Sequence, residues 1–214
     1  MASKVILITG ANTGIGYEIV RALCSSSHAY DIIVGGRSPT KLSPIQIDIE
    51  SDDSINNAFG EVQSKFGKLD ILVNNAGAQF DQLVKQGKLS EREAWNQSWN
   101  VNTSSTQVMT STFIPLLLQA SDPRLLFITS GTSTLAGSEN QALAPGFGVP
   151  AYRSAKTDMN MLMREWHKNL HEDGVKKMGA GNPEIAGSFF RRVIEGERDS
   201  DVGKVINKDG IQPW

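Results

Sequence analysis

Val5-Ile6-Leu7-Ile8-Thr9-Gly10-Ala11-Asn12-Thr13-Gly14-Ile15-Gly16 is the stretch that decides the fold. Its apolar start suits a parallel strand buried on both faces. The glycines let the backbone turn tightly and approach a phosphate closely. Ile15, Ile19, Val20 and Leu23 then recur at helical spacing. A helix opening at such a turn presents free N–H groups and a partial positive charge to an anion. The Gly-x-x-x-Gly-x-Gly spacing differs from the Gly-x-Gly-x-x-Gly fingerprint, and no Gly-Lys-Ser/Thr of a P-loop follows. Alone, the turn also fits a plain strand-to-helix connection. Its place between a first strand and a first helix favours dinucleotide binding.

Outward from this stretch, strands and helices alternate. Strands are expected at Asp31–Val34, Ile45–Ile49, Leu69–Val73, Leu125–Ile128 and Gly203–Ile206. Ser51 reads as an N-cap, with Asp52 and Asp53 in the first turn of a helix that buries Ile55, Ala58, Phe59, Val62 and Phe66 and ends at Gly67. Glu91–Leu118 reads as one long helix, bent or broken near Pro115, and Ala151–His171 as another. The pattern predicts an α/β fold: a single Rossmann-type, doubly wound parallel sheet with helices on both faces, in order 3-2-1-4-5 with further strands at one edge.

Two places break the rhythm. Only the ten residues Gly35–Pro44 separate strands two and three, without a helical stripe, where a parallel crossover usually takes about 10–12 or more. After the second long helix, Gly174–Gly181 contains no strand-length apolar run, so the strand at Gly203 is expected to lack its neighbour.

Composition narrows the function classes. Lys and Arg number 21 and Asp and Glu 23, a formal charge of -2, which argues against a protein built to hold nucleic acid. The lone Cys24 excludes an internal disulfide and a multi-cysteine zinc site, and fits a reducing compartment. No signal peptide precedes the first strand, and no apolar run approaches the roughly 20 residues of a membrane span. A cytoplasmic domain is expected.

Three motifs converge on one family. Thr9–Gly16 resembles the TGxxxGIG signature of the classical short-chain dehydrogenases/reductases. Asn74-Asn75-Ala76-Gly77, after the fourth strand, resembles their NNAG motif, and Tyr152-Arg153-Ser154-Ala155-Lys156 their YxxxK motif. The likeness covers residues 4 to about 172 and resumes near Asp201–Gly210.

The resemblance implies a nicotinamide cofactor held by Gly10, Asn12, Thr13, Gly14, Ile15, Gly16, Asn74, Ala76 and Gly77, together with Tyr152 and Lys156. At the end of strand two an acidic residue would favour NAD, whereas this chain has Val34-Gly35-Gly36-Arg37-Ser38. Arg37 can grip a 2′-phosphate in a bidentate way and Ser38 can donate to it, so NADP(H) is expected over NAD(H). Asp48 and Ile49 resemble the adenine-contacting pair; a helix-capping role for Asp48 stands equally open.

Reduction of a carbonyl needs an acid for the developing alkoxide, and a phenol of ordinary pKa near 10 is poorly matched to that task. Tyr152 and Lys156 lie four apart on one helix face, and a lysine cation there is expected to draw the phenol pKa down. The resemblance implies Tyr152 as general acid in reduction and base in oxidation, with Lys156 also holding the nicotinamide ribose. It implies a serine at the end of strand five for the substrate oxygen: Ser130, with Thr129, Thr132 and Ser133 as competitors. Asn102 fits the helix asparagine of the family's proton relay better than Asn100, though Ser105 stands where glycine is common. From Ser130 to Tyr152 are 22 residues, longer than usual in the family, which enlarges the segment Ser133–Pro150. The expected activity is NADP-dependent hydride transfer between nicotinamide and a small carbonyl or secondary alcohol, in a homodimer or homotetramer built on the two long helices. The alternative is a non-catalytic, nucleotide-sensing or interaction protein. It draws on the two breaks: relative to the family, segments are missing near residues 38–41 and 176–178, the second being the sixth strand and substrate loop.

Other features have ordinary readings. His167 and His171 could share a metal but lack an obvious third ligand, so none is expected. Trp95 and Trp99 are expected to pack, Met159, Met161 and Met163 to meet core or a partner subunit, and Cys24 to be structural.

Overall fold

The computed structural model describes residues 3–37, 44–138, 148–170, 176–180 and 186–212. Its elements run β1 (Lys4–Thr9), α1 (Gly14–Cys24), β2 (Tyr30–Gly36), β3 (Pro44–Gln46), α2 (Asp52–Phe66), β4 (Ile71–Asn74), α3 (Asp81–Lys85) and α4 (Glu91–Trp99). A π-helical turn (Asn100–Ser104) leads into α5 (Ser105–Leu117), followed by β5 (Arg124–Ile128), α6 (Leu135–Ser138), α7 (Pro150–Asn169), β6 (Lys176–Ala180), α8 (Ala186–Ile194), β7 (Val205–Asn207) and β8 (Gly210–Ile211).

The strands form one sheet in the order 3-2-1-4-5-6-7-8, parallel except for β8 against β7. The predicted order is thus observed, with the further strands at the β5 edge. Strand alternation divides the core in two. Val5, Leu7, Ile33, Leu72, Leu125 and Phe127 face α2, α5 and α7, where they meet Ile55, Phe113 and Met163. Ile6, Ile8, Val34, Val73, Leu126 and Ile128 face α1 and α8, where they meet Ile19, Leu23, Phe190 and Val193.

The α2 signals in the sequence are used as read. Ser51 caps α2 by accepting the Ser54 N–H, and Gly67 closes it at φ 68°. Ser90 and Glu93 form a reciprocal capping box on α4.

Several expectations are corrected. β3 spans three residues rather than Ile45–Ile49, and pairs only with Val34, Gly35 and Gly36 at the end of β2. The crossover therefore retreats by only two residues, about 7 Å, which a short connection can cover. The long helix breaks at Asn100–Ser104, while Pro115 is carried inside α5. The break is stabilised by side chains: the Asn102 amide donates to the Ser98 carbonyl at 2.9 Å, and the Thr106 hydroxyl to the Asn102 carbonyl at 2.8 Å. A strand does form after α7. β6 pairs with all of β5 and with β7, which thus has the neighbour that the sequence withheld. Backbone pairing needs no apolar side chains, and an unpaired edge between β5 and β7 would leave N–H and C=O groups unsatisfied.

α8 is seated on α1 through Gly187, where an added Cβ would lie 2.5 Å from the Glu18 carbonyl oxygen. Gly187→Ala must force the two helices apart. It is expected to lower stability by about 1–3 kcal/mol in urea unfolding, with the slope of the transition unchanged.

Candidate active site

All parallel strands end at one edge of the sheet, and the turns after β1 and β4 meet there. The Thr9 hydroxyl accepts the N–H groups of Asn75 and Ala76, each at 3.0 Å. The Asn75 side-chain amide donates back to the carbonyls of Thr9 (2.8 Å) and Gly10 (3.1 Å). Gly10 and Gly14 take left-handed conformations, φ 63° and 60°, which suit glycine alone without strain. A Cβ on Gly10 would sit 2.9 Å from the Ala76 Cα, so the two turns touch because Gly10 lacks a side chain. α1 opens at Thr13 with no side-chain cap and no acidic residue in its first turn, leaving its N–H groups for a ligand.

A cleft of about 920 Å³ runs along this edge. Its walls include Gly10, Asn12, Thr13, Gly14, Ile15, Arg37, Asp48, Ile49, Ala76, Gly77, Tyr152 and Lys156, all expected from the sequence. Two of the expected cofactor residues stand behind the wall. Gly16 is buried against Asn75, whose Nδ2 would be 2.6 Å from an added Cβ. Asn74 is turned into the core, where its amide donates to the Thr110 hydroxyl at 2.9 Å. Ser38 lies outside the described residues. The sequence reading missed the stretch Ala78–Phe80, Gln97 from α4 and Val101 from the π-helical turn. The only available signal was their position just after the NNAG motif and just before Asn102. Asp48 lines the cleft, and its Oδ1 accepts the Glu50 N–H at 3.1 Å in the turn before α2. Ser51, not Asp48, caps α2.

The far end of the cleft gathers the chemistry. Lys156 is 3% exposed and its Nζ donates to the Ile128 carbonyl at 3.0 Å. That nitrogen lies 5.9 Å from the centre of the Tyr152 ring. Burial lowers the Lys156 pKa to about 7. Burial also raises the Tyr152 phenol, and a hydrogen bond with Ser130 pulls it the other way. The expected drop driven by a lysine cation is therefore not what this site exhibits, because the lysine is itself stripped of water.

The structure sorts the four hydroxyl candidates. Thr129 turns inward to the Asn160 Oδ1 at 2.6 Å, and the Ser133 hydroxyl donates to the Ser130 carbonyl at 2.6 Å beside the Asn160 amide. Ser130 Oγ accepts the Thr132 N–H (3.2 Å) and lies 2.9 Å from the Thr132 hydroxyl, leaving it able to meet Tyr152. The two asparagines also differ in their surroundings. Asn100 reaches outward to Glu50 at 2.9 Å. Asn102 is fully buried, with Nδ2 donating to the Ala78 carbonyl at 2.8 Å. Its Oδ1 has no partner among the described residues. It lies 2.6 Å from where a Cβ on Gly77 would be, a point only 3.2 Å from Lys156 Nζ.

The remaining features are quieter. His171 lies outside the described residues, His167 packs against Gly203, and no metal-holding cluster of His, Cys, Asp and Glu occurs among the described residues. Trp95 and Trp99 stay exposed instead of packing, as does Met161, while Met159 and Met163 are core. Cys24 is exposed.

Lys156 gives a pH test with a definite sign. Between about 7 and its ordinary 10.5, the unfolded chain holds a proton here that the folded chain does not. Stability contributed by this site therefore rises with pH across that interval. Lys156→Met is expected to flatten the rise of Tm from pH 7 to 10 relative to the parent; parallel Tm curves would contradict the lysine's burial as described.

Comparison with known proteins places the chain. It matches the short chain dehydrogenase family over residues 4–186. It is 38% identical to the short-chain dehydrogenase/reductase tropE of Talaromyces stipitatus, with 99% of this chain and 98% of that protein covered. It is 40% identical to the short-chain dehydrogenase/reductase eupG of a Phoma species, covering 98% and 97%. Those alignments run over 264 and 270 positions against 214 residues here, so both relatives carry residues without a counterpart in this chain. Among solved structures, an NADPH-bound carbonyl reductase from chicken fatty liver superposes with a TM-score of 0.83 at 19% identity, covering 100% of both chains. A 3-oxoacyl-[acyl-carrier protein] reductase from Brucella melitensis in complex with NAD gives 0.80 at 17% identity, covering 97% of this chain and 96% of that one. The stitched glycine turn, the Tyr152–Lys156 face and these likenesses agree: the chain belongs to the short-chain dehydrogenase/reductase family of nicotinamide-dependent oxidoreductases.

Proposed function

We propose that the chain is an NADP-dependent oxidoreductase that interconverts a carbonyl and a secondary alcohol, with Tyr152 as its general acid and base. The observation that carries the reading is the hydrogen-bonded Ser130–Tyr152 pair at one end of a cleft whose other end is walled by Gly10–Gly14 and Arg37.

The residues present fit a nicotinamide dinucleotide. Gly10 and Gly14 open a turn free of side chains at those two positions, the α1 N-terminus carries no side-chain cap, and the buried Asn102 Oδ1 has no partner among the described residues. The turn Gly10–Ile15 would hold the diphosphate, Asp48 and Ile49 the adenine, and Lys156 the nicotinamide ribose. Arg37 favours NADP(H): it is exposed at the cleft wall, and no carboxylate takes its place to repel a 2′-phosphate. When bound, the reduced nicotinamide supplies hydride to the carbonyl carbon. Tyr152 gives its proton to the carbonyl oxygen, and a phenol held up by burial is in its protonated form at neutral pH, as reduction requires. Ser130, whose oxygen already accepts from the Thr132 N–H, has its own proton to offer the same substrate oxygen. Lys156 Nζ, 5.9 Å from the centre of the Tyr152 ring, can return a proton to Tyr152. In alcohol oxidation the same transfers run backwards.

We also propose a single dinucleotide-binding domain with an integral active site, shorter than its relatives near residues 38–41 and 176–178; the longer alignments to tropE and eupG support this. A cytoplasmic setting suits the single cysteine. Exposed Trp95 and Trp99 on α4 and Met161 on α7 support homo-oligomerisation through those helices.

Tyr152→Phe tests the central assignment. With a panel of aromatic aldehydes, quinones and β-keto esters, the variant is expected to lose about 10²–10⁴-fold in kcat while binding NADPH as the parent does. A parent that binds NADPH yet turns over none of them would instead favour the nucleotide-sensing alternative.

A further inference from the structure

The helix that carries Tyr152 and Lys156 begins without a cap of its own. Val149 stands before it at φ -132°, ψ 59° and sends no side-chain hydrogen bond into the first turn. Pro150 has no N–H to offer. The next two N–H groups are met from another element: Asp81 Oδ1 accepts that of Ala151 at 2.9 Å, and Asp81 Oδ2 that of Tyr152 at 3.1 Å. Asp81 is 6% exposed and opens α3, directly after the Ala76–Phe80 wall of the cleft. A second tie runs beside it, from Lys85 Nζ to the Gly148 carbonyl at 3.0 Å.

We propose that Asp81 is a positioning residue for Tyr152: its carboxylate seats the first turn of α7 on the cleft wall and sets the electric field at the phenol. This rests on Tyr152 being the acid–base residue. The positive end of a 20-residue helix favours negative charge nearby, the Tyr152 phenolate included. A carboxylate bonded to that end offsets it and keeps the proton on the phenol. Among the described residues, Lys156 Nζ lies 5.9 Å from the Tyr152 ring centre and Ser130 hydrogen-bonds the phenol, while Arg153 follows Tyr152 on α7. Of these, Arg153 Nε is turned to the Thr132 carbonyl at 2.8 Å. Asp81 is the group among them that carries negative charge. A neutral Asn or Ser in its place offers one acceptor oxygen instead of two and leaves the helix end uncompensated.

The test needs neither substrate nor cofactor. The chain has three tyrosines, so in a Tyr17→Phe/Tyr30→Phe background the near-ultraviolet phenolate absorbance reports Tyr152 alone. In that background Asp81→Asn is expected to move the titration toward acid by about half a pH unit or more, and Asp81→Glu to leave it near the parent's. Should the Asn variant fail to fold, Asp81→Ser keeps an oxygen acceptor without the charge and is expected to shift the same way. A lowered Tm with an unmoved Tyr152 titration would overturn the proposal and reduce Asp81 to a helix cap. NADPH binding, measured separately by its fluorescence, is expected to stay within about twofold of the parent. A parent that binds no nicotinamide cofactor would overturn the functional reading while the titration still decides Asp81.

Discussion

The site depends on one set of hydrogen bonds, the exchange between Thr9 and Asn75. The Thr9 hydroxyl and the Asn75 amide bind the turn after β1 to the turn after β4, each to the backbone of the other. Because the strands are parallel, both turns leave the sheet at the same edge, and fastening them fixes the floor of the cleft. Gly10, Gly16 and Gly77 lack side chains because this floor is packed to contact. Added Cβ atoms would come within 2.9 Å of Ala76, 2.6 Å of Asn75 and 2.6 Å of Asn102 respectively. The α1 N-terminus, Asn102 and the α7 face are then arranged around a floor that cannot shift.

Burial governs the electrostatics at the reactive end. Lys156 and Tyr152 sit side by side, and each is pushed toward its neutral form. A lysine near its midpoint at neutral pH can give and take a proton, which a fully solvated one does poorly. The hydrogen bond from Ser130 favours the phenolate, so proton movement at Tyr152 is tied to the hydroxyl proposed to meet the substrate oxygen.

Much of this was legible in the sequence because it rests on local pattern. The apolar run, glycine turn and helical stripe of residues 5–23 specify β1, the turn and α1, and a four-residue spacing places Tyr152 and Lys156 on one face. What was hidden depends on distant partners. β6 has the sequence Lys-Lys-Met-Gly-Ala, with no apolar alternation, and is a strand because β5 and β7 pair with it. The π-helical turn inserts a residue without altering composition, so the break was expected at Pro115 instead. Ser130 could not be separated from Thr129 and Ser133 until Asn160 was seen to draw those two inward. The cap of α7 comes from Asp81, 70 residues earlier, where no local N-cap pattern could reveal it.

The most direct test of the account is calorimetric titration of the purified chain with NADPH and with NADH, alongside Arg37→Ala. The account predicts one NADPH bound per chain, about tenfold or more tighter than NADH, with the preference largely lost in the variant. Equal affinity for the two cofactors in the parent, or binding of neither, would contradict it.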